Sequence, residues 1–160
     1  MATVIVNQFR ARQFGGAAGA YGNVTALPFQ LKTNAIGAAI GADSVAAIAS
    51  GDKVVLGVLP AGMRLDDSQL IVSVAMTASV TGTIGFEYED GVDHAAVPQD
   101  AAYFGTGLVL NATGRLRNAT AKAPVVLPKP AKLILVTAGA ANAKASQIDL
   151  LITGELGLAR

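Results

Sequence analysis

The chain has 160 residues, a formal net charge of +1, 52% hydrophobic residues and only 14% charged ones. This composition excludes an intrinsically disordered protein, an acidic tail protein and a strongly basic nucleic-acid binder. Cysteine and tryptophan are absent and His94 is the single histidine, which leaves no disulfide, no thiol nucleophile, no His-His metal motif and no carbohydrate site built on stacked Trp.

Mean hydropathy is +0.48. The most apolar stretch, residues 35–49, is mostly Ala and Gly and is interrupted by Asp43, short of the roughly 18–20 apolar residues that span a bilayer. The start, residues 1–6, runs into Asn7, Gln8 and Arg10 without the basic head and long apolar middle of a secretion signal. No membrane partner is expected, and the excess apolar surface is expected between subunits.

Three zones follow. Residues 1–34 are expected to form an N-terminal arm and a first strand: an apolar run at 3–6, then Phe9, Arg10, Arg12 and Phe14, then Gly15, Gly16 and Gly19, and an extended stretch at 23–32 with Pro28 marking an edge. Aromatics and Arg are the residue types enriched at interface hot spots. Val4, Val6, Phe9, Arg10, Arg12 and Phe14 are therefore the expected partner-binding residues, with the 3–6 run adding as a strand to a neighbour's sheet.

In the second zone, residues 33–51, small residues dominate. Asp43 and Ser44 can cap a short helix at 45–49, ended by Ser50 and Gly51; the alternative is an extended crossing anchored by Val45 and Ile48.

The third zone is β-rich. Strand-like runs at 54–59, 69–76, 81–89, 107–110, 115–119, 124–127, 132–137 and 147–153 are separated by turn chemistry, notably Leu59-Pro60-Ala61-Gly62 and Asp90-Gly91. Asp66, Asp67 and Ser68 read as a turn between strands. Gly114, between the echoing triplets Asn111-Ala112-Thr113 and Asn118-Ala119-Thr120, reads as a hairpin edge. The expectation is an all-β sandwich or barrel, with residues 35–160 as its body.

Candidate chemistry is sparse. Glu87 and Glu89 share a strand face, about 7 Å apart by two strand rises, and Asp90, Asp93 and His94 follow. Solvated alternation explains the carboxylates, and His94 has no nucleophile or orienting acid in motif. Arg115, Arg117, Lys122, Lys129 and Lys132 form a mild basic surface without interleaved aromatics, so no nucleic acid is expected. The Asn-x-Thr triplets at Asn23, Asn111 and Asn118 are read as chance. Neither a catalytic residue nor a cofactor is expected.

The stretch Ser50-Gly51-Asp52-Lys53-Val54 to Leu59-Pro60-Ala61-Gly62-Met63-Arg64-Leu65, followed by Thr81-Gly82-Thr83-Ile84-Gly85-Phe86-Glu87-Tyr88, resembles small structural proteins of tailed-bacteriophage heads, with weaker similarity at 128–154. That resemblance implies a jelly-roll-like β-sandwich and a non-enzymatic capsid decoration, or cement, protein. Its partners would be the major capsid protein and copies of itself, as a dimer or trimer, on the capsid exterior of a virion assembled in the host cytoplasm. The alternatives are a β-sandwich glycan- or receptor-binding module of a phage or surface appendage, and a small β-barrel hydrolase using Glu87 and Glu89.

Overall fold

Period-two alternation places one side of each strand inside. In β10 (Ser146–Leu156), Ile148, Leu150 and Ile152 are buried while Gln147, Asp149, Leu151 and Thr153 face outward. The computed structural model describes residues 2–5, 24–117 and 120–156. Its other strands are β1 (Thr3–Ile5), β2 (Val24–Thr33), β3 (Lys53–Leu59), β4 (Met63–Val74), β5 (Thr81–Tyr88), β6 (Asp100–Val109), β7 (Gly114–Arg117), β8 (Val125–Val126) and β9 (Ala131–Ala138). Among the described residues there is no helix.

Two sheets form. One has the order β1-β3-β9-β5-β6; the other has the order β2-β10-β4-β7, with β8 also pairing β4. The pattern is a nested hairpin. The chain turns back between β5 and β6, and β2 to β4 pair with mirror images after that turn, β4 with β7 and β8, β3 with β9, β2 with β10, while β1 adds in parallel to β3. Rolled into two layers, this is the jelly roll, and the all-β sandwich expected from the sequence is the fold observed.

The core lies between the layers. Leu27, Phe29 and Leu31 of β2 meet Leu56 and Leu59 of β3, Leu133 and Leu135 of β9, and an edge-to-face aromatic group of Phe86, Tyr88, Tyr103 and Phe104.

Register explains where the local reading failed. Asp67 pairs with Thr153 but Leu65 pairs with Gly154, so Asp66 is the extra residue of a β-bulge inside β4. The Asp66–Ser68 turn expected from the sequence is therefore a correction: β4 runs straight through it. The bulge turns two successive carboxylates outward, where Asp66 meets Arg64 and Asp67 meets Arg117. Gly114 is likewise no hairpin edge, because β6 and β7 belong to different sheets and residues 110–113 carry the chain between them.

The helix expected at 45–49 is absent. Residues 34–52 cross from one sheet to the other in turns and isolated bridges, Thr33 with Ala39 and Ala38 with Ala47. Ile48 anchors this crossing at 1% exposure, whereas Val45 is 87% exposed. Ala and Gly supply little side-chain area to fix a helix face against the core, and the backbone is satisfied by long-range partners instead.

Candidate interaction surface

The strand termini define two ends of the sandwich. At one, β2 ends at Thr33, β4 at Val74, β6 at Val109 and β9 at Ala138, joined onward by residues 34–52, 75–80, 110–113 and 139–145. The other carries residues 60–62, 89–99 and 127–130.

The first end is built around the 34–52 crossing. The Asn34 side-chain oxygen accepts the amides of Ile36 and Ala38 at 3.0 and 3.1 Å. Gly37 has φ +84 and its backbone lies against the Asn142 carbonyl, where an added Cβ would fall 1.9 Å from that oxygen; glycine alone fits. Ile48 donates its amide to Gly37 and accepts one from Asn142. Asp52 clamps from below: its carboxylate accepts the amides of Ala2 and Ala49 at 3.0 and 2.8 Å. Asp43 exchanges hydrogen bonds with the backbone of Ile5.

About half of the crossing is Ala and Gly, and of its larger aliphatic side chains Ile48 alone is buried. Ile36, Ile40 and Val45 are exposed, and so are Ile5, Val74 and Val109 at this end of the sandwich. Single exposed aliphatics are ordinary, but several gathered on one hydrogen-bonded platform mark an interaction surface. Sequence reasoning missed it. The small-residue run was visible; its folding over the sandwich end, held by Asn142 and Asp52, was not.

The opposite end is charged. Lys129 bridges both carboxylate oxygens of Asp90, donates to the Val92 carbonyl and lies over the Tyr88 ring at 4.5 Å. Its hydrogen bond holds the Asp90 carboxyl below the usual carboxylate range. Asp93 accepts the amides of Gln99 and His94, and these bonds lower its carboxyl as well. Asp100 pairs with Lys122, and Arg64 with Asp66 and Glu155.

The sequence-level candidates fall as follows. Glu87 is engaged by Lys53, a residue of β3, and Glu89 is exposed two positions on. Nδ1 of His94 is buried without a hydrogen-bond partner. Among the described residues no three acidic or histidine side chains gather to hold a metal ion. Arg117 pairs with Asp67, and Arg115 donates to Gln69 at 2.6 Å.

Val4, expected to add to a neighbour's sheet, instead pairs with Val54 in parallel and is buried at 2% exposure in this chain's own core. The edge of β3 captures the strand in cis. Val6, Phe9, Arg10, Arg12 and Phe14 lie outside the described residues; β1 and β2 fix the two ends of that stretch to opposite sheets.

No family model and no curated protein matches the sequence. Solved structures do match the fold. A chain in the capsid of Ralstonia phage GP4 aligns with a TM-score of 0.66 and 18% identity, over 99% of this chain and 100% of that one. A chain in the capsid asymmetric unit of cyanophage Pam1 aligns with a TM-score of 0.57 and 15% identity, over 95% and 98%. The chain thus has the fold of chains found in these two phage capsids.

Proposed function

We propose that this chain is a non-enzymatic virion structural protein, a decoration or cement protein that binds the exterior of a phage head shell as a homo-oligomer and stabilises it after assembly in the host cytoplasm. The observation that carries the reading is the end-to-end match to chains from two phage capsids. Each of those capsids holds a chain of about this length and fold. The apolar platform at one sandwich end fits a protein whose work is adhesion. A glycan-binding module is less favoured, because Phe29, Phe86, Tyr88, Tyr103 and Phe104, the described aromatics, are all buried and none is available to stack on a sugar.

The reading includes Phe9, Arg10, Arg12 and Phe14 as a further attachment element toward the shell or a second copy, on the residue-type argument given above. The test is co-sedimentation of the purified chain with head shells prepared from the encoding phage after deletion of this gene. Saturable binding and a raised shell disruption temperature are expected; failure to bind shells at micromolar concentration overturns the reading. Sedimentation velocity on the free chain is expected to give a dimer or trimer, and a 16.1 kDa species at high concentration removes the homo-oligomer from it.

A further inference from the structure

The sandwich is polarised end to end. More of the large exposed aliphatics among the described residues lie at the crossing end, Ile5, Ile36, Ile40, Val45, Val74 and Val109, than toward the other, Val24, Val92 and Val126. The ion pairs of Arg64, Lys122 and Lys129 sit toward the other. We propose that the crossing end is the docking face, and that its occupant is a shell subunit presenting an apolar surface rimmed by carboxylates, so that the charged end points to solvent. This rests on the decoration reading above and adds to it which face binds and what chemistry the partner offers.

Two observations converge on that occupant. First, the platform is preorganised. The Asn34 turn, the Gly37–Asn142 contact and the Asp52 clamp fix its backbone, so little ordering entropy is lost when Ile36, Ile40 and Val45 become covered. Second, the rim carries unneutralised positive charge. Lys32, at the end of β2, and Lys144, in the 139–145 connection, are both exposed and have no ion-pair partner among the described residues. The exposed carboxylate here, Asp43, is turned onto the Ile5 amide. A partner carboxylate rim complements that pattern, whereas a second copy of the same face would set these lysines against like charge.

The experiment uses the full chain and the gene-deleted head shells described above. The double variant Ile40→Asp with Val45→Asp places carboxylates on the platform. Val92→Asp with Val126→Asp does the same at the far end, on side chains of comparable exposure. The platform variant is expected to bind shells at least about ten-fold more weakly and the far-end variant within about two-fold of the parent. Lys32→Glu with Lys144→Glu is expected to weaken binding and flatten its salt dependence. Thermal melting checks folding, and Val45→Ser serves where the double variant melts early. If the parent chain binds no shell, the decoration reading itself fails. If the parent binds and the platform variants bind equally well, the docking face is elsewhere and this inference is overturned. If they bind normally but lose self-association, the face belongs to a second copy, which also overturns it.

Discussion

The side-chain oxygen of Asn142 accepts both the amide and the hydroxyl of Thr77, at 3.1 and 3.2 Å, and the Thr77 hydroxyl oxygen in turn accepts the amide of Ala143 at 2.8 Å. The Asn142 amide nitrogen donates to the Thr33 hydroxyl and the Lys144 carbonyl. One side chain therefore ties together the ends of β2, the 75–80 connection and the 139–145 connection, and its own backbone amide bonds to Ile48 of the crossing. Each polar atom is satisfied, as burial in a low-dielectric interior demands.

Asn142→Ala removes that hub and leaves buried donors and acceptors unpaired. A loss of about 2–3 kcal/mol in urea-unfolding free energy is expected, since an orphaned buried group costs about 1–3 kcal/mol. Amide exchange should quicken first at Ile48 and Thr77. Unchanged stability would show that the crossing is held by other contacts.

Gly85 sits where β6 bulges over β5: a Cβ there would fall 2.0 Å from the Asp100 carbonyl oxygen. Gly85→Ala is expected to destabilise by more than about 3 kcal/mol, because backbone rather than a flexible side chain must yield. Gly114→Ala, with nothing within 4 Å of the added atom, is expected to stay within about 0.5 kcal/mol of the parent. Denaturant midpoints for the pair check the contrast.

Glu87→Gln tests the pair with Lys53, which spans strands β5 and β3 of one sheet. Both side chains are about a quarter exposed, at 22% and 26%, so the expected loss is below about 1 kcal/mol. A larger loss in thermal unfolding would give the pair a structural weight its exposure does not predict.

The 89–99 connection should respond to acid. Asp90 is lowered chiefly by its Lys129 hydrogen bond, Asp93 chiefly by the Gln99 amide. A depressed carboxyl stabilises the fold above its unfolded pKa of about 3.9, and that contribution is lost as pH falls through the lower folded value. Amide exchange at Gln99 and His94 is expected to accelerate below about pH 4 while β9 and β10 stay protected. Carboxyl carbon titration by NMR should give both groups midpoints under 3.9; midpoints above it would contradict the bonding described.

Most of the strand bodies were legible in the sequence because each carries its own period-two signal, as Ile84, Phe86 and Tyr88 do in β5. The bulge at Asp66 was not. Two adjacent carboxylates look like a turn until Arg117, fifty residues away, is placed beside Asp67. The platform was illegible for a related reason: a run of Ala and Gly has no periodicity to read, and what shapes it is Asn142, far along the chain. The described part of the 3–6 run, residues 3–5, is a strand, but the edge it joins lies in its own chain, at β3. Edge addition is a backbone affair, and sequence does not say whose backbone is nearer.

The nested pairing also orders events in time. The β5–β6 turn brings together neighbours in sequence, whereas closing β2 onto β10 joins Thr33 to Ser146 across 113 residues. Loop closure makes distant pairings late and slow. The roll is expected to nucleate at β5–β6 and zip outward, so Leu27, Phe29 and Leu31 have no permanent partner strand until β10 has left the ribosome. Until then β2 is an apolar strand waiting in the open, which makes it the natural client of a chaperone and the place where aggregation would begin.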